Sequence, residues 1–353
     1  MEATLKDKFL GCIYGAHIGS AMGAAVECWP YERIERTFGT LDSFQSYEHY
    51  NNGWKREPGT TEDGIERQKL IITAIIEKGD RVTAEDIRAA WLAHANPQAA
   101  GWISEPFEGK LLAMAKSGIP AREIGRYCDY AGLVSFGRSC HPIGLINAGN
   151  IETAIEDVME TAQLYQTTNS RGILWACVTG IAIAAATKPG ATVDSVLDAV
   201  ISNCDKTWVY PEVDKHLEAT KKIANFQDLR KYFDEFYSNI GIPYPFSYAN
   251  EVIVKGLCIF QMVKGDVKES IIAAVNMGRD TDCAAAVACG ISGALTGSSS
   301  VPKAWIDQVE YATSINPHTC TKRTMRESAD GLYNAFTNRL NKGMRLVRMM
   351  DID

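Results

Sequence analysis

The chain has little that would hold a polyanion: 36 Lys and Arg are outnumbered by 43 Asp and Glu, for a net charge of -7 over 353 residues. That balance argues against a nucleic acid or an anionic membrane as partner. None of the ten cysteines forms a C-x-x-C pair, and several fall in apolar runs. A zinc ribbon and a disulfide frame are thereby set aside, and reduced thiols in a cytoplasmic protein are expected. No Pro-, Ser- or charge-rich connector divides the sequence, so residues 1–353 are expected to form a single domain. A core of that size needs no staples. Sustained period-2 alternation is missing, and so is any repeat of solenoid period.

Phe9 to Val26 contains no Lys, Arg, Asp or Glu. A membrane span or signal peptide has to be weighed for such a stretch. Gly11, Gly15, Gly19 and Gly23, with Tyr14, His17 and Ser20, make it a poor lipid-facing helix. It reads as a buried helix with no membrane partner. The glycines recur every four residues and form one bare stripe. Glycine costs about 1 kcal/mol in a helix interior, so close packing or ligand access must outweigh that cost.

Helical periodicity fills most of the rest. Helices are predicted over Gly64–Lys78, Ala84–Ala95 (capped by Thr83), Pro106–Lys116, a segment opened by Pro120, one from the Asn150 cap to about Tyr165, and Gly172–Thr187. Others are predicted at 193–203, 213–225, 227–238, 248–263, 267–276, 283–295, 302–313 and 322–345. Residues 35–60, 135–149 and 239–247 read as irregular loops. The expected fold class is all-α.

Two acidic segments carry the chemistry. Gly278-Arg279-Asp280-Thr281-Asp282-Cys283 precedes a long run of small apolar residues that reads as a closely packed helix. Carboxylates at such a helix mouth are costly to desolvate unless backbone N–H groups or a cation satisfy them. Asp282 is expected to cap the helix, leaving Asp280 over, with Arg279 able to pair with it. Far upstream, Thr61-Glu62-Asp63 opens another helix. Asp63 and Glu66 have the spacing of a capping box. The same segment also suits a hard cation, which prefers carboxylate and hydroxyl oxygens. If the two segments meet, their carboxylates need cations to hold them together. Glu27, after eighteen uncharged residues, is either a surface terminus or a positioned acid. His141 is either structural or an acid near neutrality. Trp54, Tyr244, Phe246 and Tyr248 either stack on a ligand or cover the core edge.

The order of these motifs resembles the ADP-ribosylglycohydrolase family. It runs through a glycine-striped first helix ending in Glu27, Pro58–Asp63, Pro142–Asn150 and Ala274–Gly297, with Val301–Trp305 in keeping. The resemblance implies an orthogonal multi-helix bundle and a hydrolase of a glycosidic bond in an ADP-ribosyl or related ribosyl substrate, small or protein-linked. It implies one or two Mg2+ ions, with Mn2+ as substitute, held by Thr61, Glu62, Asp63, Asp280 and Asp282. It also implies Glu27 and Asp63 as catalytic carboxylates, and Gly23, Ser139, His141, Gly144 and Arg279 around the substrate. Oligomeric state is left open.

Departures from the family pattern sit where substrate and metal would bind. Glu62 and Gly64 stand where Asp and Thr are usual, and Arg279 and Cys283 where Gly and Thr are usual. A thiol is a poor partner for Mg2+. One ion is then expected, or a site rebuilt with Arg279 supplying charge in place of the second. Ser20, Ala25, Gly137–His141 and Thr167–Ser170 also differ. Two further readings stay open: a binder of ADP-ribose or a nucleotide without turnover, and a crystallin-like structural protein on the same fold.

Overall fold

Two apolar helices from opposite ends of the chain set the frame. The computed structural model describes residues 2–48, 53–96, 106–237 and 247–351. In chain order it contains α1 (Leu5–Gly23), α2 (Tyr31–Phe38), the paired two-residue strands β1 (Tyr47–Glu48) and β2 (Lys55–Arg56), α3 (Asp63–Lys78), α4 (Ala84–His94), α5 (Pro106–Lys116) and α6 (Ala121–Ile124). There follow α7 (His141–Ile146), α8 (Ile151–Thr161), α9 (Arg171–Ala186), α10 (Val193–Asn203), α11 (Tyr210–Thr220) and α12 (Phe226–Tyr237). The chain ends with α13 (Ala249–Met262), α14 (Val267–Val275), α15 (Thr281–Thr296), α16 (Lys303–Ile315) and α17 (Met325–Met349). The fold is all-α, as expected.

The glycine stripe explains how α1 and α15 meet. A Cβ added at Gly11 would fall 2.6 Å from the Gly293 carbonyl oxygen, and one at Gly15 would fall 2.1 Å from that of Cys289. At Gly19 the neighbour is the Ala285 carbonyl oxygen at 3.1 Å, and at Gly23 it is Asp282 Cα at 2.7 Å. As α1 advances, its contacts run backward along α15, so the helices are antiparallel with backbones in direct contact. The end of α1 is thereby delivered to the start of α15. Both helices are buried along nearly their whole length, with α9, α13 and α14 around α15 and α14, α16 and α17 around α1. The segment Leu5–Val26 is long and apolar enough to cross a membrane, but nearly all of it is buried inside the fold.

Caps decide several boundaries. Thr83 and Asp86 form a reciprocal capping box, and Asn150 accepts from the Thr153 amide at 3.1 Å. The box expected from Asp63 and Glu66 does not form. Glu62 holds the N-cap position but its side chain does not cap the helix, and Glu66 instead accepts from Lys69 at 2.8 Å and the Cys320 amide at 2.8 Å. Asp280, rather than Asp282, caps α15, accepting from the Cys283 amide at 3.3 Å. The stretch 135–149 contains α7, and 35–60 contains the end of α2 and the β1–β2 ladder. The helix expected over 213–225 starts at Tyr210, with Pro211 in its first turn, and stops at Thr220. All ten cysteines are free thiols.

Candidate active site

The mouth of α15 is built by a strap and a turn. After α1 a single 3-10 turn, Ala24–Val26, leads to the half-buried Glu27. The next residues are laced to the turn before α15: Cys28 N–H donates to the Arg279 carbonyl at 2.8 Å, and Arg279 N–H donates to the Trp29 carbonyl at 2.8 Å. Gly278 (φ +79°) and Arg279 (φ +67°) are both left-handed, which swings the chain into the start of α15. A Cβ at Gly278 would lie 2.7 Å from the Tyr31 nitrogen, so only glycine fits there. Thr281 Oγ1 donates to the Gly23 carbonyl at 2.8 Å and fastens the end of α1 to the start of α15.

The start of α3 reaches the same place, and Arg138 joins the two. Its guanidinium donates to Asp63 through Nη2, and its Nη1 lies 3.0 Å from Cys283 Sγ and 3.9 Å from Asp282 Oδ2. Asp63 also pairs with Arg67 at 3.3 Å, and Arg67 reaches Glu108. The Arg138 backbone is itself held: Gln68 Nε2 donates to its carbonyl at 2.9 Å, and Ser139 Oγ donates to the Gly64 carbonyl at 3.0 Å. Gly64 leaves room for the side chain, since a Cβ there would sit 3.0 Å from Arg138 Cδ.

Asp280 and Asp282 are almost wholly buried, and Asp280 Oδ2 and Asp282 Oδ1 have no hydrogen-bond partner. Together with Cys283 they place ligand atoms within 4.8 Å of one another. Burial raises the Asp280 carboxyl well above the ordinary range, and the Asp282 and Glu27 charges add to that. Burial also raises Glu27 well above its usual value, with Asp282 and Asp63 adding and Arg138 opposing. For Asp63 burial pushes upward, but Arg138 and Arg67 outweigh it and the carboxyl falls below its ordinary value. Two unpartnered carboxylate oxygens in a dry acidic mouth fit a hard divalent cation. The Cys283 thiol does not, since burial holds it protonated.

The other expected residues divide. Thr61 is beside the site, but its hydroxyl accepts from Lys69 at 3.3 Å. Glu62 is taken by Arg56 at 2.8 Å and by the Tyr47 hydroxyl at 2.7 Å. Gly23 touches the start of α15 through backbone alone. Arg279 faces away, clasping Glu251 of α13 at 2.6 and 2.8 Å, so the cation on the acids is Arg138 and not Arg279. His141 is fully buried, donating from Nε2 to the Ala286 carbonyl at 2.8 Å and facing Gln68 Nε2 through Nδ1 at 3.1 Å. With Ser139 it holds the Arg138 segment between α3 and α15. Gly144 is buried against Ile183 of α9. Trp54 packs on Arg56 and His318, Tyr248 is buried at the start of α13, and Tyr244 and Phe246 lie outside the described residues. The residues not foreseen are Arg138, Arg56 and Tyr47. Arg138 had a signal: it is the only Lys, Arg, Asp or Glu between 130 and 151.

Comparison with known proteins bears on the fold and the family. The chain is 24% identical over 336 residues to the uncharacterised protein YegU of Escherichia coli K12, covering 88% of this chain and 96% of that one. It is 24% identical over 313 residues to an uncharacterised protein of Archaeoglobus fulgidus, covering 86% and 92%. A solved structure described as an ADP-ribosylglycohydrolase-related protein complex superposes with a TM-score of 0.64 at 17% identity, over 94% of this chain and 99% of that one. The family description ADP-ribosylglycohydrolase matches residues 1–341, nearly the full length, and the chain therefore belongs to the ADP-ribosylglycohydrolase family, hydrolases of glycosyl bonds.

Proposed function

We propose that the protein is a Mg2+-dependent hydrolase that cleaves the bond between a ribose anomeric carbon and its N or O leaving group in an ADP-ribosyl or related ribosyl substrate. The observation that carries this reading is the gathering of Glu27, Asp63, Asp280 and Asp282 from three separate elements at one mouth, with two buried oxygens unpartnered. Asp280 and Asp282 would hold the ion, with Asp63 beside them. A bound divalent ion supplies positive charge and an anchor for ribose hydroxyls.

The chain's own residues account for the rest. The strap through Cys28 and Trp29 fixes Glu27 at the solvent-facing rim, where water and sugar can both arrive. The Glu27 carboxylate takes the proton of the attacking water as its oxygen bonds to the anomeric carbon. The glycosidic bond breaks with its electron pair going to the leaving atom, through a centre of oxocarbenium character. Asp63, kept ionised by Arg138 and Arg67, stabilises the positive charge on the sugar. Substrate partner and cytoplasmic location belong to the same proposal.

The pairing of Glu62 with Arg56 and of Asp63 with Arg138 favours one competing reading, a binder without turnover. Release of product from ADP-ribosyl-arginine, ADP-ribosyl-serine, O-acetyl-ADP-ribose and simple ribosides, with and without Mg2+, separates the two. Metal-dependent release from at least one substrate, lost in Glu27→Gln, is the expected result. Tight ADP-ribose binding with no release from any would establish the binder, and neither binding nor release would leave a structural role.

A further inference from the structure

We infer that Arg138 is a built-in cation of the acidic mouth, and that the site consequently takes one divalent ion per chain rather than two. The inference rests on the reading of the site as a divalent-metal site.

The charges around the mouth pair off in a definite way. Glu62 is neutralised by Arg56, Glu66 by Lys69, and Glu251 by Lys255 and Arg279. Glu27, Asp63, Asp280 and Asp282 remain, with Arg138 among them and Arg67 shared between Asp63 and Glu108. The part of that charge left open to an ion is localised. Arg138 spans Asp63 and the Oδ2 side of Asp282, while Asp280 Oδ2 and Asp282 Oδ1 stay unpartnered. The open oxygens, one from each aspartate, thus belong to a single position between Asp280 and Asp282.

The second position is closed by matter as well as by charge. The Arg138 stem lies against the bare backbone of Gly64, and its Nη1 sits on Cys283 Sγ at 3.0 Å. An ion bridging Asp63 and Asp282 would have to occupy the volume of the guanidinium. Arg138 is also not a loose surface side chain. It is 8% exposed, and its backbone is tied to α3 through Gln68 and Ser139. An arginine cannot give up its charge near neutral pH, so this cation is permanent. What cations the acids do not get from the chain they must take from solution.

The test is a count. EDTA-stripped full-length protein is titrated with Mn2+ by calorimetry and the bound metal is measured by elemental analysis. Wild type should bind one ion per chain, Arg138→Lys one, and Arg138→Met/Cys283→Thr two. Two ions in wild type, or one in the double variant with its fold intact by circular dichroism, overturns the inference. No ion in wild type would overturn the metal-hydrolase reading instead. The charge role then stands or falls on metal-free protein. Arg138→Met should lower Tm, and lower it less in an Asp63→Asn/Asp282→Asn background. Equal losses in the two backgrounds overturn the inference whether or not metal binds.

Discussion

Gly15→Ala should destabilise the protein, although alanine is the better helix former. A Cβ at Gly15 would lie 2.1 Å from the Cys289 carbonyl oxygen and 2.6 Å from its carbon, both backbone atoms of a buried helix. To reach ordinary contact near 3.4 Å the helices must part by about 1.3 Å at that point, with no flexible side chain to yield instead. Overpacking of this kind costs about 3 kcal/mol at the upper end of the usual range. Helix propensity returns about 1 kcal/mol, for a net loss of about 2 kcal/mol. At about 2.1 cal/mol/K per residue of unfolding entropy, that is a fall in Tm of about 3 °C for a chain of this length. Gly343→Ala is the control. Gly343 is inside α17, exposed, with nothing within 4 Å of an added Cβ, so the change should stabilise by up to about 1 kcal/mol. Urea denaturation followed by circular dichroism measures both. If Gly15→Ala proves as stable as Gly343→Ala, the backbone contact between α1 and α15 is wrong, and with it the delivery of Glu27 to the acidic mouth.

Three further outcomes follow from the same geometry. Asp282→Ala should abolish Mg2+ binding and hydrolysis while leaving the metal-free Tm unchanged or raised, because Asp282 Oδ1 is buried without a partner; undiminished turnover would rule the site out. Arg56→Met strands Glu62 in the interior and should cost about 3–5 kcal/mol, the usual penalty for halving a buried pair, much of it recovered in Arg56→Met/Glu62→Gln; a loss that Glu62→Gln leaves undiminished would place the cost in the Arg56 stem. Stability should fall as pH drops from about 6.5 toward 4, because burial lowers the His141 and His216 imidazoles to about 4 while the unfolded chain still takes up their protons near 6.5. Both are neutral in either state above that window, so they contribute no slope there. Denaturation midpoints from pH 4.5 to 7.5 should show a slope on the acid side that flattens in His141→Asn, provided that variant folds; an unchanged slope would refute the assignment to His141.

The parts of this site legible in the sequence were those whose constraint is local. Four glycines at a spacing of four define a helix face without reference to anything else, and the structure sets that face on α15. Asp280 and Asp282 flank a helix start that can satisfy one carboxylate, so a leftover acid could be anticipated, although Asp280 and not Asp282 became the cap. What stayed hidden was the choice of partner across the chain. Arg138 finds Asp63 75 residues upstream and Cys283 145 residues downstream, and no spacing rule connects them. For the same reason His141 could be read as an acid or as a strut until the Ala286 carbonyl was seen to hold it. Arg279 was the nearer cation in sequence, but its left-handed backbone turns the side chain toward Glu251.

A general physical signal nevertheless ran through the sequence. A lone charge in a long uncharged stretch that is otherwise fit to be buried cannot remain unpaired, since desolvating it costs several kcal/mol. It must lie at a surface or answer an opposite charge or a cation elsewhere. Glu27 ends eighteen uncharged residues, and Arg138 stands alone between 130 and 151. These two isolated charges, 111 positions apart, belong to one electrostatic cluster, in which Arg138 opposes the upward shift of the Glu27 carboxyl. Isolated charges of opposite sign in a chain rich in buried helices are therefore candidates to meet, and where they meet beside further acids the chain has assembled a site rather than a core.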